Sequence, residues 1–98
     1  MATVKSFEDL EIWKEAMQQA VEVYENIKGC KDFAFKDQIQ RAAVSVPSNI
    51  AEGFERNTNK EFIQFLYIAK GSNGELITQL YLTITFKYID TKKRKRIT

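Results

Sequence analysis

Hydrophobic and polar positions follow the period of an α-helix in three long stretches of the chain. The first stretch runs from about Phe7 to Lys28, and its apolar residues recur at alternating steps of three and four. We expect Ser6 to cap this helix and Gly29 to end it in a left-handed conformation. The apolar seam of this helix comprises Leu10, Trp13, Met17, Ala20, Tyr24 and Ile27.

A second stretch, from about Phe35 to Phe54, is apolar along one face and contains Pro47. A proline inside a helix removes one backbone hydrogen bond and clashes with the carbonyl four residues earlier. The stretch is therefore either two short helices or one kinked helix. Because Val46 and Ile50 keep the apolar face in phase across the proline, the pattern favours one helix kinked at Pro47.

The third stretch, from about Lys60 to Tyr88, begins after a capping box formed by Thr58 and Glu61. Apolar residues form one seam and also occupy much of the remaining helix surface. A helix that is apolar on more than one face needs more than one neighbour. We therefore expect either a fourth helix or a subunit interface against it. The seam comprises Phe62, Leu66, Ala69, Asn73, Leu76, Leu80 and Thr83.

Composition narrows the class of protein. The 98 residues suit a single helical-bundle domain, residues 1–98, and 44% of them are hydrophobic. No apolar run reaches the roughly 18 residues of a membrane span, and the N-terminus has no apolar leader. Cys30 is the only cysteine, which favours a cytoplasmic location. Histidine is absent, so the most common general base and metal ligand is missing, and we expect no enzyme, no metal site and no cofactor.

The charge of the chain is concentrated at one end. The net charge is +2, but one run supplies five of the fifteen basic residues, so the rest of the chain sums to −3. Such a run can neutralise phosphates and release their counterions, which would give affinity for RNA or DNA. The alternative is a solvated tail, residues 91–98, without a partner. The run is Lys92, Lys93, Arg94, Lys95 and Arg96.

Three blocks of sequence resemble a known bacterial family. They are FEDLEIW at 7–13, RAAVSVPSNIAEG at 41–53 and KEFIQFLYIAKGS at 60–72. In this order they resemble the four-helix bundle proteins encoded in intervening sequences of 23S ribosomal RNA genes. Similar proteins include the accessory variability determinant of diversity-generating retroelements, which binds nucleic acid and a reverse transcriptase.

The resemblance implies an antiparallel up-and-down four-helix bundle, with the proline inside a continuous second helix, and a homopentamer. Three helices are evident in this chain. The eight residues after Asp90 are too few for a bundle-length helix, so we expect the fourth helix to be truncated, absent or supplied by a neighbour. The family often has glycine near Lys87, so the end of the third helix is expected to differ.

The block at 41–53 is the most specific of the three, and five of its residues have two possible roles. One role is a polar ligand site. The other, which we favour, is a structural or assembly role, in which the side chain of Asn49 or Ser45 bonds a backbone carbonyl freed by the proline. The five residues are Arg41, Pro47, Asn49, Glu52 and Gly53.

The sequence thus predicts a non-enzymatic homo-oligomer, pentameric by resemblance, that binds RNA or DNA. The alternative is a protein-interaction adaptor that presents a groove to a partner helix. Neither reading identifies a small-molecule substrate or a membrane partner.

Overall fold

The fold is described for residues 4–89, from a computed structural model. Within them, a short 3-10 helix (Phe7–Asp9) precedes three α-helices, which are α1 (Glu11–Ile27), α2 (Phe33–Phe54) and α3 (Asn59–Thr85). No strand occurs in this part of the chain, so the predicted all-α class is confirmed. The predicted basic tail, including Lys92 to Arg96, lies outside the described residues.

The start and end of α1 differ from the prediction. The chain first makes the 3-10 turn, and the side chain of Ser6 donates to the Glu8 carboxylate at 2.7 Å instead of capping a helix. Gly29 does not have a positive φ, so the predicted left-handed cap is wrong. The Cys30 N–H instead bonds the Ile27 carbonyl at 2.9 Å, and Lys36 Nζ donates to the Lys28 carbonyl at 3.0 Å. These two bonds satisfy carbonyls that the helix end would leave unpaired.

α2 is one continuous helix, as the phase of its apolar face predicted, and Pro47 lies buried inside it. It begins two residues earlier than expected because Asp32 caps it, accepting a hydrogen bond from the Phe35 N–H at 3.2 Å. α3 begins as predicted, with Thr58 Oγ1 accepting from the Glu61 N–H at 3.2 Å.

α2 packs against both α1 and α3, and all three helices contribute to each of two buried clusters. Near the α1–α2 loop, Val23, Ile27, Ile39, Leu76 and Leu80 are almost fully buried. The second cluster, toward the α2–α3 turn, contains Leu10, Ala16, Val46, Ile50 and Ala69.

The buried face of α1 is rotated from the predicted seam. Met17 and Tyr24 are 40% and 43% exposed, and the buried positions of this helix are instead Ala16, Ala20, Val23 and Ile27. Small alanines let α1 approach α2 closely, while the larger Met17 and Tyr24 flank the contact. The predicted seam of α3 is confirmed, since all seven members are buried or half-buried.

The end of α3 turns back over the core. Lys87 has a φ of 60°, the only positive value among the described residues. The Tyr88 N–H bonds the Thr83 carbonyl at 2.8 Å, and the Lys87 N–H bonds the Ile84 carbonyl at 3.0 Å. This pair of bonds is the Schellman motif, in which glycine usually occupies the left-handed position. The turn places Ile89 against α1, α2 and α3. Lys87 thus takes the left-handed conformation that a glycine usually provides at such a helix end.

Candidate interaction surfaces

The five residues of the most specific sequence block lie on α2, but they do not form one site. Arg41 is exposed and pairs with Asp37 at 2.8 Å, while Glu52 is exposed and pairs with Arg56 at 2.8 Å. Arg41 therefore pairs within α2 and Glu52 pairs with a residue of the turn that follows α2, and the helix does not bring Arg41 and Glu52 together. Arg56 also lies over the ring of Phe65, 4.8 Å from its centroid.

Asn49 belongs to a hydrogen-bond network between α2 and α3. Its Nδ2 donates to the Ser45 carbonyl at 2.8 Å and to Ser45 Oγ at 3.0 Å. Ser45 Oγ lies 2.8 Å from Ser72 Oγ on α3. The amide thus bonds the Ser45 carbonyl and not that of Ala43, which is the carbonyl that the proline leaves without its usual partner, so the predicted bond of Asn49 to a freed carbonyl is wrong. The link to Ser72 was not foreseen, because sequence alone does not place residues of two helices opposite each other.

α2 packs tightly against α3 at Gly53. A Cβ atom added to Gly53 would lie 2.6 Å from Cβ of Phe65 and 3.1 Å from Cδ1 of Phe62. The glycine is needed here for lack of space, since its φ is not positive.

An apolar groove runs between α1 and α2, and we call it the α1/α2 groove. Its volume is about 560 Å³, and Trp13, Met17, Tyr24, Val44 and Pro47 lie along it. Three of these side chains, Met17, Tyr24 and Val44, are at least 40% exposed. Apolar atoms line nearly all of this groove, which is typical of a surface that contacts another macromolecule.

A second groove, the α1/α3 groove, lies between α1 and α3 above α2. Its floor is apolar and includes Ala16, Ile50 and Ala69. Its rim is polar and includes Glu15 and Lys70. An apolar floor between polar rims is the shape that an amphipathic helix fills. Near the α1–α2 loop, Ile89 reaches the same side of the core and packs beside Val23, Ile27, Ile39, Leu80 and Thr83.

Positive charge collects at the end of the bundle that holds the α1–α2 loop, which we call the loop end. The end of α1, the start of α2 and the end of α3 meet there because the helices alternate in direction. Phe33, at the start of α2, is 70% exposed beside them. Sequence reasoning missed this grouping, because its members are far apart in the chain. The basic residues of the loop end are Lys28, Lys31, Lys36 and Lys87.

Asp32 and Tyr88 hold the loop end together. The Tyr88 hydroxyl donates to Asp32 Oδ2 at 2.6 Å. This hydrogen bond raises the pKa of Tyr88 to about 12, and it lowers the pKa of Asp32, helped by the bond from the Phe35 N–H. The rings of Phe35, Phe86 and Tyr88 pack against one another beside this bond. Residues 88 and 89 are therefore fixed to the bundle just before the basic run begins.

Negative charge collects on α1 and the turn before it. Residues 7–27 carry six acidic side chains and one lysine. The molecule is therefore polarised, with an acidic first helix and a basic loop end. No group of three or more histidine, cysteine or carboxylate side chains among residues 4–89 has the arrangement of a metal site.

Comparison with known protein families matches residues 8–98 to the family described as 23S rRNA-intervening sequence protein. The chain belongs to this family. Comparison with curated proteins gives no match. The family match spans all three helices, so the resemblance of the three sequence blocks is confirmed as a family relationship.

Within this member of the 23S rRNA-intervening sequence family, both grooves and the loop end lie inside the matched region. None of the helices in the described part of the chain is both long enough and apolar enough to cross a membrane.

Proposed function

We propose that this 23S rRNA-intervening sequence family protein is a non-enzymatic homo-oligomer that binds nucleic acid. The observation that carries the first part is the apolar α1/α2 groove. Met17, Tyr24 and Val44 remain exposed there, whereas Val23 and Val46 on the same two helices are buried. A second copy that covers this groove would remove their apolar surface from water, which stabilises the assembly.

The pentamer implied by the resemblance requires two different surfaces on each subunit. A ring with an odd number of subunits forms through head-to-tail contacts, in which one surface meets a different surface of the next copy. The α1/α2 groove supplies one such surface, and the polar-rimmed α1/α3 groove is open on another side.

Light scattering of the full chain tests the assembly. We expect a mass five times that of one chain at micromolar concentration. Met17→Glu and Val44→Glu place a charge in the apolar groove and should release monomers. Lys14→Glu is the matched control, because it changes the charge of α1 at an exposed position that does not line the groove. A monomer at every concentration would overturn the proposal.

The loop end supports the nucleic-acid part of the proposal. Four lysines lie there beside exposed Phe33, and the chain enters its basic run three residues after Ile89. Cations neutralise phosphates, and an exposed aromatic ring is a surface on which an unpaired base can stack.

A salt series with single-stranded and double-stranded RNA tests this binding. The five cations of residues 92–96 should contribute about 4 to the slope of log affinity against log salt if each contacts a phosphate. Replacement of all five by glutamine should therefore reduce the slope by about that amount. The control replaces Lys14 and Lys60, which lie away from the loop end and line neither groove. Unchanged affinity and slope in the first variant would refute the role of the run.

An adaptor that binds a partner helix remains the second candidate, favoured by the apolar floor and polar rim of the α1/α3 groove. Ile12 lines this groove and is 46% exposed, so Ile12→Glu should block a helix without unfolding the bundle. Calorimetric titration with a designed amphipathic helical peptide, before and after nuclease treatment, distinguishes the two. Binding that survives nuclease and is lost in Ile12→Glu favours the adaptor.

A further inference from the structure

Phe33 is a large apolar side chain that the bundle leaves in water. It begins α2 and is 70% exposed. Phe35, two residues later, is half-buried and packs against the rings of Phe86 and Tyr88. Phe33 therefore adds little to the core, and it lines neither groove. An exposed aromatic ring of this kind is a surface on which a ligand with a flat face can stack.

Three lysines of the loop end lie near this ring. Lys31 precedes Phe33 by two residues, and Lys36 follows it by three, which places Lys36 beside Phe33 on the surface of α2. Lys36 Nζ donates to the Lys28 carbonyl at 3.0 Å, so Lys28 lies next to this first turn of α2 as well. The start of α2 therefore carries a group of cations beside one exposed ring.

The fourth lysine reaches the same place from the end of α3. Lys87 precedes Tyr88, and the Tyr88 hydroxyl donates to Asp32 Oδ2 at 2.6 Å. Asp32 is the residue immediately before Phe33. The hydrogen bond therefore fixes the end of α3, with its lysine, to the residue that precedes the exposed ring.

The positive charge of the loop end is not neutralised by ion pairs within the bundle. Residues 28–36 contain three lysines and one carboxylate, that of Asp32. Asp32 Oδ1 accepts from the Phe35 N–H, and Oδ2 accepts from the Tyr88 hydroxyl. In the described part of the chain, none of the ion pairs includes a lysine of the loop end. These cations are therefore free to neutralise phosphates, which releases the counterions of a nucleic acid.

We propose that the loop end binds a single-stranded nucleic acid, in which an unpaired base stacks on the ring of Phe33 and the four lysines neutralise the flanking phosphates. The proposal rests on the nucleic-acid binding proposed above, and it names the substrate class and the aromatic contact of that binding.

The exposed ring favours a single strand over a duplex. In a duplex the faces of the bases are covered by their neighbours, so a protruding ring meets only sugar and phosphate. In a single strand or an unpaired loop, a base can turn outward and stack on an aromatic side chain. The lysines alone do not distinguish the two forms, because both present phosphates.

Fluorescence anisotropy of the full chain with two labelled oligonucleotides tests the stacking contact. One is a single strand of about ten thymidines, and the other has the same phosphates but no bases. We expect the strand with bases to bind about tenfold more tightly, which is the order of affinity that one stacked base contributes. Phe33→Leu should make the two affinities equal and leave the salt dependence unchanged, because leucine is apolar but has no aromatic face. Phe33→Trp should restore the preference.

Two control variants separate the ring from the charges and from aromatic residues in general. Tyr67 is 68% exposed in the first part of α3, at the other end of the bundle, so Tyr67→Leu should leave the preference for bases unchanged. Lys28→Gln combined with Lys31→Gln should keep that preference. It should reduce the slope of log affinity against log salt by about 1.4, since each phosphate contact to a single strand contributes about 0.7. Because Phe33 is exposed, Phe33→Leu should also leave the melting temperature unchanged.

The outcomes distinguish this contact from nucleic-acid binding in general. Equal binding of the two strands by the parent protein, or a preference for bases that survives in Phe33→Leu, overturns the stacking contact and leaves the proposed binding standing. Phe33→Leu should not weaken binding to a duplex of the same length, and an equal loss for the duplex and the single strand overturns the substrate class. No binding of any of these probes at low salt overturns both proposals.

Discussion

The contact between α2 and α3 differs in kind from the contact between α1 and α2. α2 and α3 meet without space for a methyl group at Gly53, and the hydrogen bond between Ser45 and Ser72 joins them. α1 rests on α2 through small apolar residues, and an open groove lies on each side of it.

The difference indicates which helices bury their apolar contact surfaces within one subunit. The surfaces of α2 and α3 that face each other are closely packed and joined by a hydrogen bond. α1 leaves Met17, Val21 and Tyr24 exposed at its edge. Apolar surface of this kind is where further helices or subunits gain the most from binding. The proposed assembly would therefore gain most from contacts made at α1.

The largest expected effect is the loss of stability when a substitution creates a cavity among the buried residues of α2 and α3. Leu76→Ala should lower the free energy of unfolding by about 3 kcal/mol, because Leu76 is fully buried between the helices. Met17→Ala, beside the α1/α2 groove, should lower it by less than about 1 kcal/mol in the monomer. Urea denaturation at low protein concentration measures both. Equal losses would show that α1 packs as tightly as the α2–α3 pair.

Gly53→Ala tests the close approach directly. The added methyl group must displace Phe65 or shift a helix, and we expect a loss of about 2 kcal/mol. Gly71→Ala is the matched control in α3, since its Cβ meets nothing within 4 Å. The control should gain about 0.5 to 1 kcal/mol from helix propensity. Opposite signs in thermal or urea unfolding support the comparison, and a stable Gly53→Ala variant contradicts it.

Much of the fold could be predicted from the sequence, because long helices leave strong periodic signals. The continuity of α2 through Pro47 followed from the phase of Val46 and Ile50, and the cap of α3 followed from Thr58 and Glu61. The face of α1 could not be predicted in this way. Hydrophobicity points to Met17 and Tyr24, but close packing on α2 requires the smaller Ala16 and Ala20.

The candidate surfaces were harder to predict than the helices. The loop end unites lysines that are up to 59 residues apart, from Lys28 to Lys87, so only the alternating direction of the helices brings them together. The left-handed Lys87 has no local sequence signal, because glycine is the residue that usually marks such a turn. The sequence alone likewise does not distinguish Asp32 from an ordinary loop residue, because its hydrogen bonds to Phe35 and Tyr88 are visible only in the structure.

A smaller effect is expected at the turn that brings Ile89 back to the α1 side. Lys87→Gly should raise the free energy of unfolding by about 1 kcal/mol, because glycine adopts the left-handed conformation without a Cβ clash. Lys87→Ala is the control, since it removes the charge and keeps the Cβ. The gain should appear only in the glycine variant. Equal stabilisation by alanine would mean that charge at the loop end, and not backbone strain, sets the effect.

The smallest effect concerns the bond that fixes the loop end. The carboxylate of Asp32 has a lowered pKa, so its contribution is present above the unfolded value of 3.8 and is lost as the pH falls. Tyr88 has a raised pKa of about 12, so its contribution is present below the unfolded value of 10.0 and is lost as the pH rises toward 12. Tyr88→Phe should therefore flatten the dependence of thermal stability on pH at both ends.

Tyrosine absorbance gives the corresponding titration. The difference between the parent protein and Tyr88→Phe isolates the Tyr88 curve, whose midpoint should lie at about 12. Asp32→Asn is the sharper control, because asparagine retains the cap of α2 while the negative charge that holds the tyrosine proton is removed. Its Tyr88 midpoint should move back toward 10.0, the ordinary value. A midpoint already at the ordinary value in the parent protein would show that Asp32 and Tyr88 do not hold the loop end closed in solution. Residues 88 and 89 would then not be held to the start of α2 by this hydrogen bond.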